Sequence, residues 1–146
     1  MLDVDERRIQ QRYVDWLSQL ADEAVKSYMA DARADAGVVR DLKAAWEVRG
    51  KLRGALDEKD KLQAESNLLE NQSDELRRNL RAIEKNKTAE GLRRDLTDRL
   101  AKAAARLDEI TKRVIVLEMQ INEQSIRFRD LINGIKMLKA LSPVKG

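Results

Sequence analysis

Few residues of this chain could do covalent chemistry, because the two most versatile reactive side chains are missing. The 146 residues include no His and no Cys, which removes the commonest general base and the thiolate nucleophile or metal ligand. The adjacent carboxylates Asp22–Glu23 and Asp108–Glu109 lie on predicted helix surfaces, where charged side chains are normally solvated. Gly50 and Gly54 are not followed by the Lys-Ser/Thr of a phosphate loop. We therefore expect no enzyme activity, no metal site and no cofactor.

A cluster of arginines is the other group with chemical potential. Its members are Arg77, Arg78, Arg81, Arg93 and Arg94. A hairpin with its turn near residue 88 would gather them at one tip, where guanidinium groups could contact an anion or a phosphate. Nearby carboxylates such as Asp74 and Glu90 favour the alternative, a solvated helix end with local ion pairs. Nucleic acid is not an expected partner, because 29 basic against 26 acidic residues leave a net charge of only +3.

The elements that position these residues must be helices. Charged residues make up 38% of the chain and aromatic residues only 3%, with a single Pro, which is typical of long helices and not of a β-sandwich or barrel. No apolar run approaches the ~18 residues that span a bilayer. We therefore expect no transmembrane segment and a cytoplasmic location by default, or an envelope-associated one if the chain is part of a larger secreted protein.

Three helical segments are predicted. Residues 1–36 form an N-terminal amphipathic helix, residues 37–86 the first arm of a hairpin, and residues 87–146 the second arm with a short tail after Ser142-Pro143. The spacing of three and four residues gives the first helix an apolar face of Ile9, Tyr13, Trp16, Leu17, Leu20, Ala24 and Tyr28. Gly37 marks either a helix end or a flexible joint.

Heptad spacing runs through both predicted arms. In the second arm, one series is Leu100, Leu107, Val114, Ile121, Phe128 and Ile135, and the other is Leu96, Ala103, Ile110, Leu117, Gln124, Leu131 and Leu138. Gln124 either fixes the register or lies in a wet layer. In the first arm the series are Leu62, Leu69, Leu76, Ile83 and Ser66, Ser73, Leu80. We expect a register slip near residues 57–60, and a weak spot, a bend or close packing at Gly50 and Gly54.

An antiparallel hairpin brings the two seams together. If opposed residues have numbers that sum to 176, Leu76 meets Leu100, Leu62 meets Val114, and the small Ser73 meets the small Ala103. The apolar period breaks between Ile83 and Leu92, where Asn86 and Thr88 are candidate N-caps. The predicted fold is therefore all-α: a long antiparallel helical hairpin, as a coiled coil, with an additional N-terminal helix. A continuous helix through Gly91 is the alternative.

Aromatic and apolar residues near the N-terminus are the interaction candidates. They are Tyr13, Trp16, Leu20, Tyr28 and Trp46. Large amphipathic rings often anchor interfaces, although the first segment could instead fold back and bury them against the base of the hairpin. We expect a protein partner or self-association into a homo-oligomer.

Residues 70–83, Glu-Asn-Gln-Ser-Asp-Glu-Leu-Arg-Arg-Asn-Leu-Arg-Ala-Ile, resemble a pattern of the bacterial mucoidy-inhibitor-like family, Glu-Gln-x-Arg-[Ile/Leu]-Arg-x-Asn-Leu. The run Leu92-Arg93-Arg94-Asp95-Leu96 also resembles the family, whereas Asn71 and Asp74 depart from its pattern. The resemblance extends over about residues 42–138. It implies the helical part of a protein that also carries β-rich domains, an envelope- or surface-associated role, and no catalytic residues.

The expected function is that of a structural, protein-interaction coiled-coil module, a rigid spacer or docking rod of a larger bacterial envelope-associated protein or assembly. The alternative is a binder of acidic polymer or anionic membrane surface through the Arg-rich hairpin tip.

Overall fold

In the computed structural model, the backbone is described over residues 15–141 and the side chains over residues 15–135. Within residues 15–141, three α-helices follow one another: α1 (Gln19–Ala30), α2 (Ala36–Ala82) and α3 (Glu90–Leu141), with a 3-10 helix at Lys87–Ala89. Residues 15–141 contain no strand, so the all-α prediction is confirmed. No helix in this part of the chain is both long and apolar enough to cross a bilayer. The predictions for Ile9, Tyr13, Leu138 and Ser142-Pro143 concern positions outside the described residues or side chains.

The turn between α2 and α3 is closed by side chains that satisfy its backbone groups. Asn86 accepts hydrogen bonds from the backbone N–H of Thr88 at 3.0 Å and from its hydroxyl at 2.7 Å, as predicted for an N-cap. Arg93 donates through Nη2 to the carbonyls of Ile83, Glu84 and Asn86 at 3.1–3.2 Å. The carbonyls of Ile83 and Asn86 also accept the backbone N–H groups of Asn86 and Ala89 at 3.0 and 3.2 Å, so Arg93 adds a second donor to each of them where α2 ends. The chain therefore reverses as a helical hairpin, and the continuous-helix alternative is wrong.

The described residues divide into two compact units. One comprises the residues up to Arg53 together with those from Gln124 onward, and the other is Gly54–Glu123. In Gly54–Glu123, α2 and α3 pack along the predicted seams: Ser73, Leu96, Ala103, Ile110 and Leu117 are buried. The opposed positions Ser73 and Ala103 are 2% and 7% exposed, as expected where two small side chains let the helices approach closely.

Two ion pairs between the arms fix their register. Arg106 donates through Nε and Nη2 to Glu65 at 2.5 and 2.8 Å, and Arg113 donates in the same way to Glu58 at 2.6 and 2.8 Å. The two pairs lie seven residues apart on each arm, so the register is the same at both. Each residue immediately precedes a seam position, where charged pairs normally flank an apolar seam. The residue numbers of each ion pair sum to 171, five below the sum of 176 predicted for directly opposed seam residues.

The predicted register slip near residues 57–60 is wrong. Ala55 is buried, and Lys59 and Leu62 are half-buried, so the alternation of four and three residues continues through this stretch. Lys59 occupies the same heptad position as Ser66 and Ser73. Its side chain is 27% exposed, and its Nζ reaches Glu118 Oε1 at 3.7 Å. A lysine can occupy a seam because its aliphatic stem packs while its ammonium group reaches the edge.

The unit that contains α1 has a core drawn from three helices. The buried cluster is Val25 of α1, Leu42, Ala45 and Val48 of α2, and Phe128, Ile132 and Ile135 of α3. Ile132 lies outside both predicted heptad series. Its burial follows from α1, because a third helix covers more of the neighbouring surface than a two-helix seam can.

The apolar face predicted for the first helix is wrong from Leu20 onward, although Trp16 packs against the core. Ala21 and Val25 are buried and Met29 packs against the core, whereas Leu20 is 77% exposed and Ala24 and Tyr28 also face outward. The described helix begins at Gln19, with Ser18 as its N-cap, and the predicted start near residue 5 lies outside the described residues. The joint to α2 lies at residues 31–35. Gly37 is in the first turn of α2, where its N–H donates to Asp35 Oδ1 at 3.1 Å.

Gly50 and Gly54 lie on the exposed surface of α2. A Cβ added at either position would meet nothing within 4 Å, so the predicted close packing is absent. Glycine in a helix interior costs about 1 kcal/mol relative to alanine. We expect Gly50→Ala and Gly54→Ala each to raise the free energy of unfolding by about 0.5–1 kcal/mol, measured by urea denaturation followed by circular dichroism.

The reverse change, Ala105→Gly at an exposed position of α3, is the matched control and should cost a similar amount. A loss of stability in Gly54→Ala would contradict the open surface assigned to this glycine.

The arm-to-arm ion pairs predict how stability depends on pH. Hydrogen bonds from Arg113 and Arg106 are the main cause of the lowered pKa of Glu58 and of Glu65, opposed by partial desolvation and assisted by the positive charges. A carboxylate with a lowered folded-state pKa stabilises the fold above its unfolded value and loses that effect as pH falls through the folded value. Both carboxylates start from an ordinary value of 4.5, so the loss occurs below about pH 4.5.

We therefore expect a nearly constant melting temperature between about pH 5.5 and 8, where no histidine titrates, and a fall below pH 4.5. The variant Glu58→Gln/Glu65→Gln should melt at lower temperature at pH 7 and lose less stability on acidification. Glu70→Gln, an exposed change on α2, is the control. An acid slope equal to that of the wild type would contradict the role given to the two pairs.

Candidate protein-interaction surfaces

An aromatic cluster connects the segment before α1 with α2 and α3. Trp16 and Trp46 meet edge to face with ring centroids 6.2 Å apart, and Trp46 meets Phe128 at 6.0 Å, the geometry that aromatic quadrupoles favour. Both tryptophans are half-buried against the core. The interpretation in which the N-terminal segment folds back and buries them is therefore confirmed for Trp16 and Trp46. Their rings contribute mainly to packing within the chain.

Arg49 fastens the N-terminal segment to α2. Its Nε donates to the carbonyl of Trp16 at 2.8 Å, and its Nη2 donates to those of Leu17 and Ser18 at 3.1 Å. The guanidinium carbon lies 5.1 Å from the Trp46 ring centroid, within reach of a cation–π interaction. Only 12% of the Arg49 side chain is exposed. Nothing in the sequence pattern singled out Arg49, although its position three residues after Trp46 places the two side chains on the same side of a helix.

Asp22 completes the same network. Its Oδ1 accepts a hydrogen bond from the Trp46 indole N–H at 2.6 Å, and its Oδ2 lies 3.1 Å from Lys26 Nζ. The indole hydrogen bond is the largest cause of the lowered pKa of Asp22, followed by Lys26. The prediction that Asp22 and Glu23 are both solvated is thus wrong for Asp22 and correct for the exposed Glu23. Among residues 15–135, no group of acidic side chains could hold a metal ion.

Leu20 and Tyr28 are the interaction candidates that remain accessible. Leu20 is 77% exposed and Tyr28 is 39% exposed. The Tyr28 hydroxyl accepts a hydrogen bond from the Asp35 N–H at 3.3 Å, which also ties α1 to the start of α2. Tyr13 lies outside the described residues.

The arginines of the tip are mostly engaged within the chain. Arg93 donates to the carbonyls of the turn, Arg77 pairs with Asp74 at 3.1 Å, and Arg94 lies 3.8 Å from Glu90. Arg78 and Arg81 are exposed and form no ion pair with another described residue. The arrangement is close to the solvated helix end with local pairs that the neighbouring carboxylates favoured. Two guanidinium groups are left for an anion.

A further surface lies on α3, and sequence analysis missed it. Ile115, Val116 and Met119 are 54%, 42% and 68% exposed, and we call them the α3 outer patch. Their spacings of three and four residues place them on one side of the helix, away from the buried Leu117 and Ile110 that face α2. The heptad pattern does not indicate the patch, because the pattern identifies only the positions that face the other arm.

Removal of the Arg49 fork should destabilise the chain. Arg49→Met removes the side-chain donor to the carbonyls of Trp16, Leu17 and Ser18, of which only Ser18 keeps a backbone donor, the Asp22 N–H. We therefore expect a loss of about 2–3 kcal/mol in the free energy of unfolding. Arg40→Met removes an arginine whose side chain is 83% exposed and is the matched control. Equal stability of the two variants in urea denaturation would contradict the fastening role of Arg49.

Comparison with known proteins gives no relative for this arrangement: no protein-family model, curated protein or solved structure matches the chain.

Proposed function

We propose that the chain is a coiled-coil protein-interaction module that serves as a rigid spacer or docking rod. The observation that carries this proposal is the α3 outer patch. The hairpin already buries its seam residues, and Ile115, Val116 and Met119 add nothing to that seam while they leave apolar surface in water. Adjacent exposed apolar side chains on a charged helix are a common feature of binding surfaces.

The ion pairs between the arms support the rigid part of the proposal. Glu58–Arg113 and Glu65–Arg106 are bidentate, and bidentate pairs restrain orientation more strongly than single contacts. Within Gly54–Glu123, the arm from Gly54 to Ala82 has 29 residues, or about 43 Å of helix. A helical pair of this length, held in one register, is suited to a spacer that keeps two other domains or proteins at a fixed distance.

The resemblance to the mucoidy-inhibitor-like family gives the proposal a setting. The residues that carry it, 70–83 and 92–96, surround the hairpin turn. We infer that the module works in a larger bacterial envelope-associated protein or assembly. The partners would then be other proteins of that assembly or further copies of the chain.

Arg78 and Arg81 support a second candidate function, the binding of an acidic polymer or an anionic membrane surface through the tip. Both guanidinium groups are exposed and available to a phosphate. Three of the five tip arginines are engaged within the chain, which makes this surface the weaker of the two.

Site-specific photocross-linking tests the first candidate. A photoreactive amino acid at Met119, in the full-length gene product in its native host, should capture one discrete protein. The same probe at Glu70, an exposed position on α2, is the control and should capture none. If neither position yields a discrete product, the assignment of the outer patch to protein interaction is wrong.

Salt dependence separates the second candidate from the first. Binding to phosphatidylglycerol vesicles or to polyphosphate should fall steeply between 50 and 500 mM NaCl, to an extent set by the phosphates contacted. It should also be lost in Arg78→Ala/Arg81→Ala. If the chain is instead a protein-interaction module, the wild type should bind the vesicles and polyphosphate no more tightly than Arg78→Ala/Arg81→Ala does.

A further inference from the structure

We propose that the α3 outer patch pairs with the same patch of a second copy of the chain, antiparallel and about a two-fold axis. The inference rests on the proposed function and names its partner. The charged residues that flank the patch support this inference as much as the apolar side chains do.

The patch is short, single-faced and bounded by opposite charges. Ile115, Val116 and Met119 occupy its centre, with Lys112 one turn before them and Glu123 one turn after. Lys112 and Glu123 are both exposed and lie on the same side of α3 as Met119, seven and four residues from it. The stretch therefore presents positive charge, apolar surface and negative charge in that order along the helix.

Such an order is complementary to itself only when the second helix runs the opposite way. With the two-fold axis between residues 117 and 118, opposed positions sum to 235. Lys112 then faces Glu123 of the other copy, Glu123 faces Lys112, and Val116 faces Met119. A parallel pair would instead place Lys112 against Lys112 and Glu123 against Glu123. Like charges in contact are unfavourable and act against that arrangement.

The existing contacts of Lys112 do not prevent this pairing. Its Nζ lies 3.0 Å from Asp108 Oδ2, and the two side chains are 76% and 65% exposed. An exposed pair four residues apart on one helix contributes little to stability, so Lys112 can exchange this partner or share it with Glu123 of a second copy.

The size of the surface sets the expected strength. Three apolar side chains from each copy, with two symmetric ion pairs, form a contact smaller than those of permanent dimers, which bury at least about 1,200 Å² in total. We therefore expect a monomer–dimer equilibrium with a Kd of roughly tens to hundreds of micromolar. Such an interface would be used where many copies are held close together.

Sedimentation velocity of the chain from about 5 to 500 µM is the first test. We expect reversible dimerisation that Ile115→Ser/Met119→Ser weakens at least tenfold, with helicity unchanged in circular dichroism because these side chains are exposed. Leu68→Ser, on α2 and 57% exposed, is the matched control and should leave the Kd unchanged.

Charge reversal tests the pairing. Lys112→Glu and Glu123→Lys should each raise the Kd roughly fivefold, and Lys112→Glu/Glu123→Lys should return it close to the wild-type value. A local effect of Lys112→Glu beside Asp108 would persist in the double variant. Absence of restoration would therefore overturn the proposed contact.

The orientation can be measured with one spin label per chain, since the sequence has no native Cys. A label at Ala105, exposed on α3, should give an inter-copy distance near 38 Å in the antiparallel dimer, from 25 residues at 1.5 Å each. A distance below about 20 Å would mean a parallel pair and would overturn the arrangement.

The proposed function and this inference fail separately. A chain that stays monomeric up to 500 µM, or a dimer insensitive to the Ile115 and Met119 changes, overturns the self-pairing. If the probe at Met119 then captures a different protein, the interaction function stands with another partner. If it captures nothing, both proposals fail.

Discussion

The packing of α2 against α3 along one alternating seam is the constraint on which the hairpin depends. Seam residues recur at intervals of three and four, which keeps them on one side of each helix. Because the arms run in opposite directions, one register buries seam positions of both arms, including the small Ser73 and Ala103. Glu58–Arg113 and Glu65–Arg106 hold that register at the edge of the seam. The turn that connects the two arms is stabilised by Arg93, which donates to carbonyls at the end of α2.

A second kind of constraint operates in the unit that contains α1. Its helices are joined by a polar network laid over an aromatic cluster, in which Arg49 and Asp22 both contact Trp46. Arg49 also holds three carbonyls of residues 16–18. A short helix such as α1, with 12 residues, is marginal alone in water. Its docking therefore depends on these contacts together with the burial of Ala21 and Val25.

The functional proposals concern surfaces that take part neither in the α2–α3 seam nor in the network around Trp46. The tip arginines are largely taken up by the turn and by local carboxylates, which leaves the outer side of α3 as the more accessible apolar surface of the Gly54–Glu123 unit. The balance of charge around Ile115, Val116 and Met119 turns a general docking proposal into one with a defined partner and direction. The docking proposal and the self-pairing proposal have the same physical basis: a two-helix seam buries only one side of each helix.

Sequence alone determined the all-α class, the antiparallel pairing of the two arms and the position of the turn, and it narrowed the cap to Asn86 or Thr88. Those features follow from local periodicity and from a constant-sum rule, so they need no knowledge of other contacts. The face of α1, the burial of Ile132, the inward turn of Asp22 and the role of Arg49 were decided by tertiary structure. Each depends on which helix lies beside which, and a short amphipathic segment offers more than one face to bury. The assumed slip at residues 57–60 failed for a related reason: a lysine in a seam looks like a break in the sequence, but its stem can pack as an apolar side chain does.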